Sequence, residues 1–362
     1  MRPSVPALHI STWYDTAVTE TTRLFNYLQG LGTPNQYLII GAGQHCSMVI
    51  DEMISDMTGP ELLSFLVGAG ISDSKGISGI DLSDLDIGDT KLGDARYGGV
   101  DHGYAKLFFD WFEHWVNGQP NDVTTMPKVQ LHVMGKGWVS GDRWPLERTR
   151  FTKYYLESGP ASPSRPGTGV LSSSAPKRDA NDRYIYDPGS PTPSLGGILD
   201  QLAPARDQRP IEARKDVLVY DTPPLESPVT IAGPVEVVLY VSSSAKDTDF
   251  MVKLVDVYPD GKAINLADDA FRVRYRGGFE KKVLMEPGKV YKITLPNMMT
   301  AIRFPKGHRI RLDIASSNFP LYERNLNTGG NNYDETAWVI AQNSIHHGKQ
   351  YPSYVSLPVI PE

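Results

Sequence analysis

Cysteine is almost absent from this sequence, because Cys46 is the only one among 362 residues. A single cysteine excludes an intrachain disulfide framework and leaves the redox compartment open. Long apolar runs are missing as well: no stretch reaches the roughly 18 apolar residues of a membrane-spanning helix, and the N-terminal residues contain no signal-peptide core. We therefore expect a soluble protein without a visible signal peptide, in a compartment that the sequence does not specify.

An excess of positive charge is also lacking. The 36 lysines and arginines stand against 42 aspartates and glutamates, for a net charge of −6. Nucleic acids and anionic membranes select proteins with a basic surface. We therefore expect no nucleic-acid partner and no membrane partner, which leaves small molecules and peptides.

Cofactor and metal motifs are weak. The sequence GAGQHC at residues 41–46 imitates a dinucleotide-binding G-x-G-x-x-G loop, but its sixth residue is cysteine. The residues that follow predict a second helix where a dinucleotide-binding unit requires a strand. The acidic run at residues 81–89 lacks the spacing of a calcium-binding loop and is more typical of a solvated loop. We predict no cofactor and no metal.

Glycine and proline are abundant, with 33 and 28 residues, which predicts many turns and short strands. A chain of this length exceeds what one hydrophobic core usually supports, so we expect two domains. Residues 1–125 alternate apolar strands with helices, which is typical of an α/β layer. Residues 126–362 alternate short strands with Pro and Gly turns, which is typical of an antiparallel sandwich or jelly roll.

Several elements are specific enough to predict by residue number. Residues 7–11 and 37–40 are predicted strands of a parallel sheet, joined by a helix over residues 19–28. Residues 229–241 and 250–257 are predicted strands, and the Ser-, Pro- and Gly-rich residues 158–182 are a predicted surface loop. A further helix is predicted over residues 102–116. Its core face should contain Leu107, Phe108, Trp111, Phe112 and Trp115.

Two polar residues follow the two predicted parallel strands, Asp15 after the first and His45 after the second. Open α/β sheets place their sites at the carboxyl ends of such strands, so the pair fits the acid and the base of a hydrolytic triad. The residues alone support a second interpretation equally well, because Asp is a favoured cap for a helix that begins near residue 16.

A nucleophile is not evident. No G-x-S-x-G sequence, which would carry the serine of an α/β-hydrolase, occurs in the chain. Cys46 lies directly after His45, but adjacent residues on a loop seldom face each other. We therefore interpret Cys46 as a small buried thiol.

Motifs along nearly the whole chain resemble those of cocaine-esterase-type hydrolases and X-Pro dipeptidyl-peptidase relatives. ISTWYD at residues 10–15 resembles the family's G-W-Y-D motif. LIIGAGQH at residues 38–45 resembles its L-x-x-G-P-W-x-H motif, with GAG in place of G-P-W. Further matches are WFEHW (111–115), DTDF (247–250), LVDV (254–257), RVRYR (272–276), SSNFP (316–320), NTGG (327–330) and the closing segment 352–358.

The resemblance implies both a fold and a site. The fold is α/β plus all-β: the C-terminal half of an α/β-hydrolase domain over residues 1–125, then a jelly-roll β-sandwich over residues 126–362. Asp15 is then the triad acid, His45 the triad base, and Phe319 a candidate substrate-binding wall of the acyl pocket. The family's first half, which would hold the nucleophilic serine, is missing from this sequence.

The implied activity is serine hydrolysis of a small ester, amide or peptide, by esterase, acylase or dipeptidyl-peptidase chemistry. By itself the chain is predicted to be inactive, because the base has no nucleophile to activate. The alternative is a truncated, inactive chain that acts as a β-sandwich binding or interaction module. Possible protein partners are a complementing N-terminal half or, through an exposed sheet edge, a second copy in a homo-oligomer.

Overall fold

A computed structural model describes residues 5–44, 95–97, 100–159, 168–198 and 204–361. The chain divides into two compact units: Met1–Glu147 with Ile198–Pro204, and Arg148–Gly197 with Ala205–Glu362. His45, Cys46 and the acidic run at residues 81–89 lie outside the described residues. Among the helices that the structure describes, none has the length and apolarity to cross a membrane.

The first unit is built on a small, mostly parallel sheet. Its elements are β1 (Ala7–Tyr14), α1 (Val18–Gly30), β2 (Gln36–Gln44), β3 (Ala95–Tyr97), β4 (Val100–His102), α2 (Tyr104–Trp115), a 3-10 turn (Asp122–Thr125), β5 (Val129–Val133) and β6 (Gly137–Gly141). Four strands form the sheet in the order β1-β2-β5-β6, in which β1, β2 and β5 run parallel and β6 antiparallel. The predicted strands and helix of residues 7–40 are confirmed with longer bounds.

Helix α2 covers this sheet with only part of the predicted aromatic stripe. Leu107 and Trp111 are buried in one cluster with residues of β2, and Trp115 packs against that cluster. The prediction was wrong for Phe108 and Phe112, whose side chains are exposed, Phe112 by 60%. Positions 107, 111 and 115 are four apart and share one side of the helix, whereas 108 and 112 lie about 100° further round.

The sequence places a domain boundary after residue 125, whereas the first compact unit continues to Glu147. The physical reason is strand pairing, because β5 is hydrogen-bonded to β2 and β6 to β5. The division after residue 125 stays a prediction about the family's domains.

The second unit is dominated by antiparallel strands. They are β7 (Arg150–Ser158), β8 (Thr168–Ser172), β9 (Ala180–Tyr186), β10 (Leu218–Asp221), β11 (Val229–Ser243), β12 (Asp249–Val257), β13 (Ala263–Arg272), β14 (Tyr291–Phe304), β15 (Arg309–Ala315), β16 (Ala341–His347) and β17 (Tyr354–Ile360). A short helix, α3 (Arg209–Glu212), and a 3-10 turn (Val273–Tyr275) complete the unit's described elements. All eleven strands belong to one hydrogen-bonded sheet. The predicted strands at residues 229–241 and 250–257 are confirmed.

The predicted loop over residues 158–182 was partly wrong, because it contains β8 and the start of β9. β8 pairs with β7 on one side and with β10 on the other. Its Gly169 packs against the ring of Tyr220, where a Cβ atom would lie 2.2 Å from the Tyr220 Cδ1 atom. Gly169 is therefore a strand residue, and its lack of a side chain allows the close packing against Tyr220.

Buried charges lie inside the second unit. Lys253 of β12 is buried and donates a hydrogen bond of 3.0 Å from Nζ to Gln208 Oε1. Asp268 of β13 accepts from the Tyr322 hydroxyl at 3.4 Å. Burial raises the pKa of Asp268 to about 6, although the positive charge of Lys253 acts in the opposite direction. The folded state therefore binds a proton at Asp268 over a pH range in which the unfolded chain has released it.

We expect Asp268→Asn to stabilise the protein at neutral pH but not at acidic pH. With a folded pKa above the unfolded one, the Asp268 contribution to the unfolding free energy falls as pH rises from about 4 to about 6 and stays low above that range. The free energy of unfolding of the variant should equal that of wild type at about pH 4. At about pH 8 it should be higher by on the order of 2 kcal/mol. Urea denaturation across this range measures the difference.

The control is Asp260→Asn, an exposed turn position where Asn retains the acceptor for the Lys262 N–H. The free energy of unfolding of this variant should equal that of wild type at every pH. A difference in the free energy of unfolding between Asp268→Asn and wild type that stays constant across the pH range would contradict the raised pKa of Asp268.

Candidate functional site

The carboxyl ends of β1 and β2 lie at the same edge of the sheet. The two strands run parallel, and their last paired residues are Tyr14 and Gln44. In the sequence, Asp15 follows Tyr14 and His45 follows Gln44, although His45 itself lies outside the described residues. Parallel strands that end in register direct their following loops to the same side of the sheet.

An irregularity in β2 sets this register. Between Thr12 and Tyr14, β1 advances by two residues, while β2 advances by three, from Gly41 to Gln44. The extra residue is a β-bulge, a feature that commonly lies beside active sites because it changes where side chains point. The bulge falls in GAG, the segment that replaces the family's G-P-W.

Trp13 fixes the end of β1 across the sheet. Its side chain is buried, and its indole N–H donates a hydrogen bond of 2.7 Å to the carbonyl oxygen of His132, next to the end of β5. The indole also packs at 6.2 Å between ring centroids against Trp144. The tryptophan of the WYD sequence therefore anchors the strand that carries Asp15.

Asp15 makes the contacts of a helix-entry residue. Its Oδ1 atom accepts a hydrogen bond of 2.8 Å from the Ala17 N–H and a longer one of 3.5 Å from the Thr16 hydroxyl. Its own carbonyl accepts from the Val18 N–H at 3.2 Å, where α1 begins. The N-cap of α1 is Ala17, and it has no side-chain capping hydrogen bond, so Asp15 does not cap the helix as predicted. Its Oδ1 contact with the Ala17 N–H is an Asx turn that leads into the helix, and an asparagine could make the same contact.

Phe319 lies in the second unit, in the connection between β15 and β16. Its ring is half-buried, and its backbone is held on both sides. The Phe319 N–H donates to the Thr192 carbonyl at 3.0 Å, and the Ser194 N–H donates to the Phe319 carbonyl at 2.6 Å. The guanidinium of Arg324 lies 5.9 Å from the centre of the ring.

The second unit contains a cluster of serine, histidine and aspartate that the sequence patterns did not predict. His347 Nε2 lies 2.9 Å from Asp182 Oδ2 and 3.2 Å from Ser158 Oγ. The Ser158 and Tyr220 hydroxyls also donate to Asp182, at 2.9 and 2.8 Å. Burial alone would raise the pKa of Asp182, but the hydrogen bonds from His347 and Tyr220 keep that pKa below its usual value.

This cluster does not have triad geometry. In a triad, the acid binds one imidazole nitrogen and the nucleophile binds the other. Here Asp182 and Ser158 approach the same nitrogen of His347, and the Ser158 hydroxyl is donated to the acid. The cluster joins β7, β9, β10 and β16 and is structural. Sequence spacing could not reveal it, because His347 and Asp182 are 165 positions apart.

Comparison with known proteins identifies the family. Residues 121–356 match the X-Pro dipeptidyl-peptidase C-terminal non-catalytic domain. Cocaine esterase of Rhodococcus sp. is 44% identical over 262 residues, 70% of this chain. The chain belongs to the cocaine-esterase-type, X-Pro dipeptidyl-peptidase-like family. The resemblance seen in the sequence motifs is therefore confirmed.

Two solved structures share the fold of the chain. An aminopeptidase from a marine-sediment Thaumarchaeota archaeon superimposes with a TM-score of 0.73 at 22% identity and covers 99% of the chain. An alpha-amino acid ester hydrolase gives a TM-score of 0.72 at 24% identity, also over 99% of the chain. The chain spans 56% of each of these structures and 45% of the cocaine esterase.

The family match covers one of the three predicted site residues and leaves the other two outside. The domain described as non-catalytic begins at residue 121, so Asp15 and His45 precede it and Phe319 lies within it.

Proposed function

We propose that this chain supplies the acid, Asp15, and the base, His45, of a serine-hydrolase triad that acts on small esters, amides or peptides. The observation that supports this most directly is the register of β1 and β2, which end together at Tyr14 and Gln44. In this proposal residues 1–125 are the C-terminal half of an α/β-hydrolase domain, and residues 126–362 are a jelly-roll β-sandwich. The nucleophilic serine belongs to the half of the family's catalytic domain that this sequence lacks.

The proposed chemistry assigns one role to each residue. The Asp15 carboxylate accepts the Nδ1–H of His45, which fixes the imidazole tautomer and stabilises its cation. The Nε2 atom of His45 then takes the proton of the serine hydroxyl as that oxygen attacks the substrate carbonyl. The resulting imidazolium returns the proton to the leaving alcohol or amine, and water hydrolyses the acyl-enzyme by the same route in a second cycle. Phe319 is proposed as a wall for the acyl group.

We expect the His45 ring in the purified chain to carry its proton on Nδ1, because Asp15 is proposed to accept it. Nitrogen-detected NMR of ring-labelled histidine distinguishes the two tautomers, and His45→Gln identifies the resonance. Asp15→Asn should shift the population toward the Nε2–H tautomer. The exposed Asp142→Asn, in the same unit, serves as control and should leave the His45 signals unchanged. An Nε2–H tautomer in wild type that Asp15→Asn does not change would refute the proposed pair.

A second function is a β-sandwich binding module without catalysis. It is favoured by one finding, that the matched domain, residues 121–356, is described as non-catalytic. Such a module has no need of a hydrogen bond between Asp15 and His45. The tautomer measurement therefore separates the two functions, because only the triad requires the Asp15-dependent Nδ1–H form.

A further inference from the structure

Three motifs in the second unit have no role in the proposed chemistry: DTDF, RVRYR and NTGG. They meet around residues 316–330, which connect β15 to β16. Charged side chains of DTDF and RVRYR form one network with Asn325, here called the aspartate–arginine network. It consists of Asp247, Asp249, Arg272, Arg274 and Asn325.

Asn325 lies at the centre of the aspartate–arginine network. Its Nδ2 atom donates to Asp247 Oδ2 at 2.6 Å and to Asp249 Oδ1 at 2.7 Å, and the Asn325 side chain is fully buried. Each aspartate is also paired with an arginine, Asp247 with Arg274 at 2.6 Å and Asp249 with Arg272 at 2.8 Å. A buried network whose charges are all paired holds its members in one arrangement.

The network also holds the backbone of the connecting segment at two points, and Tyr186 holds it at a third. Arg272 Nη2 donates to the Glu323 carbonyl at 3.0 Å, and Arg274 Nη1 donates to the Gly330 carbonyl at 2.6 Å. Between them, the Asn325 carbonyl accepts the Tyr186 hydroxyl at 3.0 Å. Residues 323–330 are therefore fixed to the strands although they form neither helix nor strand.

Arg324 connects this fixed segment to Phe319. It lies between Glu323 and Asn325, whose carbonyls the network and Tyr186 hold. The Arg324 guanidinium donates to the Pro188 carbonyl at 2.7 Å and faces the Phe319 ring at 5.9 Å. A guanidinium within about 6 Å of a ring centroid is attracted to the aromatic face, which favours one placement of the ring.

We propose that Asn325 and Arg324 are positioning residues that set the orientation of Phe319. Asn325 fixes the backbone of the segment, and Arg324 transmits that constraint to the ring. The importance of this orientation for substrate rests on the proposed function, whereas the positioning itself does not. The competing interpretation is that the network stabilises only its own segment.

The test places a fluorine label on Phe319 by site-specific incorporation of 4-fluorophenylalanine in the full chain. Fluorine NMR then reports the ring, and hydrogen exchange followed by mass spectrometry reports residues 316–330. We expect Arg324→Met to shift or split the fluorine resonance. Asn325→Leu should do the same and also raise exchange in residues 323–330 by at least about tenfold. Asn297→Leu is the matched control, because Asn297 also donates its amide to an aspartate, Asp269, at 3.2 Å.

A fluorine resonance that neither Arg324→Met nor Asn325→Leu moves would overturn the proposal, even if exchange rises. Should Asn325→Leu fail to fold, Arg324→Met decides alone, because it leaves the aspartate–arginine network intact. The fluorine and exchange measurements need no catalysis.

A separate activity measurement distinguishes a failure of the positioning proposal from a failure of the proposed function. In a catalytically active fusion with a serine-bearing half, Arg324→Met should change the ratio of kcat/KM for p-nitrophenyl butyrate over acetate by at least about threefold, with kcat for acetate retained. A moved fluorine resonance with an unchanged ratio would support the positioning and remove Phe319 from the acyl pocket. A changed ratio would support both the positioning of Phe319 and its place in the acyl pocket.

Discussion

Asp15→Asn is expected to lower kcat by about 10⁴-fold, roughly 5 kcal/mol in the activation barrier, in a catalytically active fusion of this chain to a serine-bearing N-terminal half. Without the carboxylate, the His45 ring has no partner to favour the Nδ1–H tautomer, so its Nε2 atom carries the proton and cannot accept one. Hydrolysis of p-nitrophenyl esters measures the effect. The unfused chain should show no turnover that His45→Ala abolishes.

This substitution separates a structural role of Asp15 from a catalytic one because asparagine retains the turn contact. The Asn Oδ1 atom can still accept the Ala17 N–H, which lies 2.8 Å from Asp15 Oδ1. A residue that only holds the turn before α1 would then be replaced at little cost to stability and at no cost to rate. Asp15→Ala, which removes the turn hydrogen bond, should cost about 1 kcal/mol of stability in addition. Full activity in a stable Asp15→Asn fusion would leave Asp15 as a turn residue and remove it from the triad.

Arg274→Met is expected to lower the free energy of unfolding of the second unit by roughly 3–5 kcal/mol. The Arg274 side chain is 3% exposed and that of Asp247 is fully buried, so the substitution leaves a carboxylate without its counter-charge in the interior. Asn325 and the Arg274 N–H still donate to Asp247, but neither carries a charge. Urea denaturation followed by far-ultraviolet circular dichroism measures the change, because the unit is dominated by strands.

Two further variants identify the cause of this loss. Arg209→Met removes an exposed arginine that pairs with Asp207, and the urea midpoint should hardly move, since water replaces the lost partner. The double variant Arg274→Met with Asp247→Leu should recover part of the stability, because no isolated charge then remains. A double variant that is less stable than Arg274→Met would show that packing, and not the isolated charge, determines the effect.

Much of the fold could be predicted because it depends on local patterns. The buried strand β2 is a continuous apolar run, and helix α2 has its apolar residues at helical spacing. Prediction failed where a distant contact overrides local composition. β8 reads as a loop because it follows a segment rich in Ser, Pro and Gly, yet it forms a strand because it pairs with β7 and β10, and Gly169 leaves room there for the Tyr220 ring. Phe112 reads as a core residue, yet it is 60% exposed because α2 buries a narrower stripe.

The candidate site shows the same division between local and distant information. The WYD sequence and the histidine that ends LIIGAGQH are local signals, and the site roles that they suggest stay predictions. The cluster of Ser158, Asp182 and His347 was missed because its members come from three strands far apart in the chain. Residue types alone would have suggested a triad there, and only the shared Nε2 contact excludes one.

The sequence by itself determined the strand and helix types, the family, and the identities of Asp15, His45 and Phe319 as residues of interest. The tertiary structure alone decided that β1 and β2 end in register at Tyr14 and Gln44, with a bulge in GAG. It also decided that DTDF and RVRYR form one buried network around Asn325. The physical reason is that periodicity and motif spacing depend on residues close together in the chain. Strand register and charge pairing depend instead on contacts between residues tens of positions apart.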